Sequence, residues 1–208
     1  MNASNDYNLT IIQTLTVDGE VSHISVSQNN TYLAVSTRGE KVYIFKRTNE
    51  YFLHQNITYS GEKTFREAVL TRDHQYMSVA GGNDTKAYFY KFNGDNEQFE
   101  PYLEREFEEY VDFVTISEDK KWVAVSEGDH AHVLSGLESG QLELEQSIYS
   151  ADQWVNKFSK DSKFLILAKH GEAMIFRLCE AKENFVYNYE HKYCQYCQEG
   201  VEDGACKV

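Results

Sequence analysis

The sequence predicts an all-β chain arranged as a β-propeller, with four four-stranded blades and one extra N-terminal strand. Three observations predict it. First, the segments Ser27–Ser36 (SQNNTYLAVS), Thr71–Ala80 (TRDHQYMSVA), Ser117–Ser126 (SEDKKWVAVS) and Ser159–Ala168 (SKDSKFLILA) share one pattern. Each runs hydroxyl residue, four mostly polar residues, aromatic, then four apolar or small residues. Second, the aromatic anchors Tyr32, Tyr76, Trp122 and Phe164 lie 44, 46 and 42 residues apart, a period that signals stacked repeat units. Third, every copy has the same flanks: three apolar segments and a weaker, polar fourth. Radial repetition of such units leaves only short, protected edges. A generic β-sandwich would not need strands in fixed groups of four.

The elements follow in order. Leu9–Val17 (LTIIQTLTV) reads as a leading outer strand. First strands come next in each unit, as VSHISVS, FREAVLT, VDFVTIS and WVNKFS, with an apolar residue (Val26, Leu70, Ile116, Phe158) before the hydroxyl. The polar turns QNN, RDHQ, EDKK and KDSK suit Asn and Asp, which satisfy local backbone groups and tolerate unusual dihedrals. The second strands YLAVS, YMSVA, WVAVS and FLILA are rich in Val and aromatics, as buried strands are. Glycine or charged turns lead to the third strands KVYIFK, KAYFYKF, HAHVLS and AMIFRL. The fourth segments are YFLHQNI, QFEPYL, LELEQS and NFVYNY; Pro101 falls in one of them, where an edge strand tolerates a missing N–H. Residues 1–190 therefore form the propeller, and 191–208 a cysteine-rich tail.

Composition limits the function. With 20 Lys+Arg against 33 Asp+Glu the formal charge is −13. Acid is spread along the whole length with no basic stripe, so neither nucleic acid nor an anionic membrane surface is an expected partner. The hydrophobic fraction of 41% supports a packed core. The longest apolar run, Phe164–Ala168, is far short of the roughly 20 residues of a spanning helix, so no membrane span is expected.

The stretch Ser78–Tyr90 resembles the second strand, acidic turn and third strand of WD40-type propellers, and the likeness extends over roughly Tyr7 to Asn188. It is degenerate: no Gly-His pair precedes the repeats, and Phe45-Lys46, Tyr90-Lys91 and Phe176-Arg177 stand where Trp-Asp would close them. The resemblance implies a non-catalytic protein-interaction scaffold without a cofactor. Its partner face would be made by loops entering the first strands and joining second to third strands. Carried over by position, Arg38, Asp84, Tyr110, Asp129 and His170, with Trp154 beside the rim, are the expected partner-binding residues. WD40-type rings most often close at seven blades, so four units imply part of a larger propeller, a homodimer closing one ring, or closure at four.

No Gly-x-Ser-x-Gly, Walker loop or His-Glu-x-x-His occurs, so no catalytic constellation is expected. The alternative is a lactonase- or quinoprotein-like propeller enzyme with a channel metal, for which the inner strands offer Glu67 and Asp112. Asp129-His130-Ala131-His132 sets two histidines on one strand face without a visible third ligand.

The tail Cys194-Gln-Tyr-Cys197-Gln-Glu-Gly200, then Cys206, resembles the opening of growth-factor-receptor and ephrin-receptor-like disulfide modules. His191, Cys194, Cys197 and Cys206 alternatively form a tetrahedral zinc set, giving a cytosolic adaptor. Glycosylation sequons at Asn2, Asn8, Asn29, Asn56 and Asn83, where composition alone gives about 1.6, lean towards a cell-surface or secreted protein. The start MNASNDYNLT, with neither a cationic nor an apolar stretch, leans against it.

Overall fold

A computed structural model describes residues 10–39, 41–59, 65–149, 153–169, 171–179 and 184–187. They form sixteen strands in four antiparallel sheets, each a meander of four consecutive strands. Blade 1 comprises β1 (Val21–Val26), β2 (Tyr32–Thr37), β3 (Lys41–Arg47) and β4 (Tyr51–Thr58). Blade 2 comprises β5 (Glu67–Leu70), β6 (Tyr76–Ala80), β7 (Lys86–Asn93) and β8 (Gln98–Glu106). Blade 3 comprises β9 (Val111–Ile116), β10 (Trp122–Glu127), β11 (His130–Ser135) and β12 (Glu143–Tyr149). Blade 4 comprises β13 (Gln153–Phe158), β14 (Phe164–Lys169), β15 (Glu172–Cys179) and β16 (Asn184–Tyr187). The predicted four-blade propeller is the observed architecture.

The recurring hydroxyl and aromatic explain each first hairpin. Ser27, Thr71, Ser117 and Ser159 each accept the backbone N–H of the aromatic five residues on, at 3.0 Å in all four blades. The same hydroxyls donate to Asn29, Asp73, Asp119 and Asp161, whose side chains also cap a backbone N–H two residues further. This fixes a left-handed residue in each turn, at Asn30, His74, Lys120 and Ser162, with φ of 52–62°. The local bonds offset the steric cost of that region.

The second strands β2, β6 and β10 are buried on both faces, whereas β14 buries Leu165 and Leu167 towards blade 3 and leaves Ile166 exposed on its other face. Tyr32, Ala34, Val42 and Ile44 meet Leu70, Met77 and Val79 of blade 2. Tyr76 and Phe89 meet Val114, Val125 and Leu134 of blade 3, and Trp122 and Val133 meet Leu165, Leu167 and Phe176 of blade 4. Polar stitches cross every seam along the inner strands. Leu70 N–H donates to Ser25 Oγ (3.0 Å), Ser78 Oγ to Val114 O (3.0 Å), and Asn156 Nδ2 to Ser126 Oγ (2.7 Å).

The two ends of the stack differ. Thr10–Val17, expected as a leading strand, joins none of the four sheets. It lies over the outer face of blade 1, where Leu15 and Val17 pack on Leu33, Val35, Tyr43 and Phe45. Gln13 fixes it, its amide donating to Tyr51 O (2.6 Å) and accepting Tyr51 N–H (3.0 Å). Gln55 does the same to Phe99 across the seam from blade 1 to blade 2, at 2.9 Å twice. Residues 10–17 thus occupy the place that an outer strand of a preceding blade would take. They are unpaired because the described chain gives them no neighbouring edge.

Candidate functional site

Residues of blades 2 and 3 and of the segment that joins them line a cavity of about 470 Å³. Its walls come from four places in the chain. Arg66 stands at the start of β5 and Asp112 on β9; Gly82 and Thr85 belong to the β6–β7 turn. Glu108, Glu109 and Tyr110 come from the β8–β9 crossing, and Gly128 from the β10–β11 turn.

Backbone bonds set this geometry. Phe107 N–H donates to Thr85 O, Gly82 N–H to Val111 O, and Val111 N–H to Asp84 O, all at 2.8–2.9 Å. The turn of blade 2 is thereby tied to the segment entering blade 3. At Gly128 (φ +49°) an added Cβ would stand 2.1 Å from Glu109 Oε2, so the missing side chain is what lets that carboxylate lie there. The Glu109 backbone N–H donates to Glu127 Oε1 (2.5 Å), and the buried Glu127 bonds His132 Nε2 through its other oxygen (2.6 Å). The Glu109 backbone is therefore tied to a Glu127–His132 pair beneath it.

One wall carries an ion pair. Arg66 Nε lies 3.2 Å from Asp112 Oδ1. Burial raises the Asp112 carboxyl above the ordinary aspartate range, and the Arg66 charge pulls it back only in part. A carboxylate with raised basicity beside a guanidinium supplies a proton acceptor and a stabiliser of developing negative charge within one cavity.

A second ionisable pair lies in the seam of blades 1 and 2. His23 Nε2 is 3.3 Å from Glu67 Oε1, and His23 Nδ1 is 3.2 Å from Ala68 O. Burial lowers His23 and raises Glu67 to about 7, while Lys157 and the Val114 backbone bond act on Glu67 in the opposite sense. Both ring nitrogens of His23 are engaged, which leaves none for a ligand. The pair fastens two blades.

The structure distributes the sequence-predicted residues unevenly. Tyr110 lines the cavity and is 60% exposed. Asp84 braces the β6–β7 turn beneath it, through its backbone oxygen on Val111 and its carboxylate on the Tyr88 hydroxyl. Arg38 pairs with Glu20 at 3.6 Å on blade 1, apart from the cavity, and Asp129 follows Gly128 without lining it. Trp154 lies on β13, but its side chain, like His170, His191, Cys194, Cys197 and Cys206, is outside the described residues. Of the two inner-strand acids, Asp112 reaches the cavity and Glu67 does not. Among the described residues no three His, Cys, Asp or Glu side chains converge as a metal set; His130 and His132 stack on one another, 5.9 Å apart. Arg66, Glu109 and Gly128 were missed as individual residues, because no local motif marks them.

No family model and no curated protein matches the chain. Solved structures match its fold. The periplasmic gluconolactonase of Pseudomonas aeruginosa is 14% identical with a TM-score of 0.65, over 82% of this chain and 53% of that one. A candidate 6-phosphogluconolactonase from Bacteroides fragilis is 13% identical with a TM-score of 0.67, over 80% and 53%. The Swd1 β-propeller domain of Myceliophteria thermophila is 11% identical with a TM-score of 0.64, over 81% and 58%. The chain spans between 53% and 62% of the length of such structures. The likeness extends to propellers of more than one kind, so it supports the β-propeller and leaves the WD40 subtype aside.

These matches overturn the expectation of a non-catalytic scaffold that is not an enzyme, since gluconolactonase-type propellers recur among them. The physical reason is the way a propeller builds a site. Groups that meet in space come from first strands and turns of different blades, about one repeat apart in sequence. A search for nucleophile and base within one short motif cannot find them.

Proposed function

We propose that this chain carries the catalytic cavity of a lactone-hydrolysing propeller enzyme. The observation that carries the reading is the Arg66–Asp112 pair, 3.2 Å apart on the wall of a 470 Å³ cavity, a size within the usual range of small-molecule sites. The likeness to gluconolactonase-type propellers supports it. Asp112 accepts a proton from water as the water oxygen adds to the lactone carbonyl. Arg66 donates hydrogen bonds to the oxyanion that forms. Collapse breaks the bond to the ring oxygen, which takes the proton from Asp112, and the product is the open hydroxy acid.

Hydrolysis of glucono-1,5-lactone in a pH-stat, corrected for the spontaneous rate, tests this. Asp112→Asn should lower kcat about 100-fold or more, the usual worth of a general base, with KM changed little. Arg66→Lys should also lower kcat, because a point charge does not reproduce the planar donor set. The acid limb of the wild-type rate should lie above the ordinary aspartate range, as burial of Asp112 requires. No acceleration by the wild type, or full activity in both variants, would sink the reading.

A further inference from the structure

Lactones with and without a phosphate ester place opposite demands on a site. A phosphate needs cations or converging backbone N–H groups. A neutral polyol needs acceptors for its hydroxyl protons and a face for its ring. Resting on the proposed lactone hydrolysis, we infer that the cavity takes an uncharged aldonolactone and rejects its 6-phosphate.

The charges on the wall carry this. Glu108, Glu109 and Asp112 line the cavity against Arg66, the one cation among its described lining residues, whose Nε already faces Asp112 at 3.2 Å. Glu109 is exposed, and its carboxylate lies against Gly128. Its backbone is held by Glu127, itself only 7% exposed, and its side chain fills the space that Gly128 leaves by having no Cβ. A phosphate dianion entering here meets the exposed carboxylates of Glu108 and Glu109, a repulsion that is strongest at low ionic strength and is screened by added salt. The same carboxylates accept hydroxyl protons of a neutral sugar, and the exposed Tyr110 ring offers it an apolar face.

The test compares glucono-1,5-lactone with 6-phosphoglucono-1,5-lactone on the 208-residue chain at low ionic strength. The expected result is at least a tenfold higher kcat/KM for the uncharged lactone. The gap should narrow in 0.5 M NaCl and in Glu108→Gln with Glu109→Gln, through gain on the phosphorylated substrate. Equal or better use of the phosphorylated lactone overturns the inference and leaves lactone hydrolysis standing. If neither lactone is hydrolysed, that activity falls, and calorimetric titration with the stable probes gluconolactam and its 6-phosphate decides the rest. Tighter binding of the uncharged lactam supports the inference; the reverse, or no binding of either, overturns it.

Discussion

Glu67 illustrates how hydrogen-bond inventory sets a protonation state. Ala68 O can only accept, so His23 Nδ1 carries the proton, and in the neutral ring Nε2 must then accept. The partner at 3.3 Å is Glu67 Oε1, which can fill that role only as a carboxylic acid. Burial favours the same state in both residues, lowering His23 and raising Glu67 to about 7. The sign for stability follows. Below pH 4.5 Glu67 is protonated folded or unfolded; between 4.5 and about 7 only the unfolded chain ionises it, so stability falls as pH rises through that window. Such a displacement corresponds to roughly 3 kcal/mol at most. His23 acts oppositely below its ordinary pKa, so the informative quantity is the difference from Glu67→Gln. Urea midpoints should show that variant gaining on wild type from pH 4.5 to 7.5, then holding a constant lead. A difference that stays flat with pH would mean that Glu67 is ionised in the fold. None of this was legible in the sequence. Glu67 and Asp112 were visible as inner-strand acids, but which one faces a cavity depends on pleat and seam geometry. Arg66 meets Asp112 across a whole repeat.

The hairpin turns were legible because everything that fixes them lies within six residues. In blade 3, Ser117 is fully buried and its hydroxyl joins Asp119 Oδ1 (2.6 Å) to the Trp122 N–H (3.0 Å), while Asp119 also caps Lys121 N–H (3.2 Å). Blade 1 performs the same task with Asn29, whose Oδ1 accepts from Ser27 and from Thr31 N–H. An amide oxygen therefore suffices. Asp119→Asn should cost less than about 0.5 kcal/mol, whereas Asp119→Ala, which strands the Ser117 hydroxyl and a backbone donor, should cost about 1–3 kcal/mol. Chemical denaturation of the two variants separates these outcomes, and equal losses would mean that the carboxylate charge matters. The Asn29 sequon has a structural account in this turn, since its side chain is already committed there. The leading segment was misread as a strand because LTIIQTLTV alternates as strands do. Alternation reports two faces, one of which does pack on blade 1 through Leu15 and Val17, but it says nothing about an edge to pair with.

Across the whole molecule, each internal blade is sandwiched and each end blade is not. Blade 1 is part-covered by residues 10–17, yet Ile24 and Val26 of β1 remain 56% and 45% exposed. On blade 4 the face turned away from blade 3 carries Val155, Ile166 and Ile175, at 42%, 37% and 46% exposure. Internal blades bury the corresponding positions, and the solved propellers that match are longer than this chain. Contiguous apolar surface of this kind drives association. Net charge works against it, at −13. The two effects respond differently to salt, because charge repulsion is screened over about 8 Å at physiological ionic strength while apolar burial is not weakened. The 208-residue chain should therefore self-associate with rising concentration in sedimentation velocity, more strongly in added NaCl. Ile166→Asp with Ile175→Asp should shift it towards monomer without changing lactone turnover, since neither residue lines the cavity. Association that weakens with salt would point instead to ion pairs, and a monomer at every concentration would show that the exposed end faces are tolerated in water.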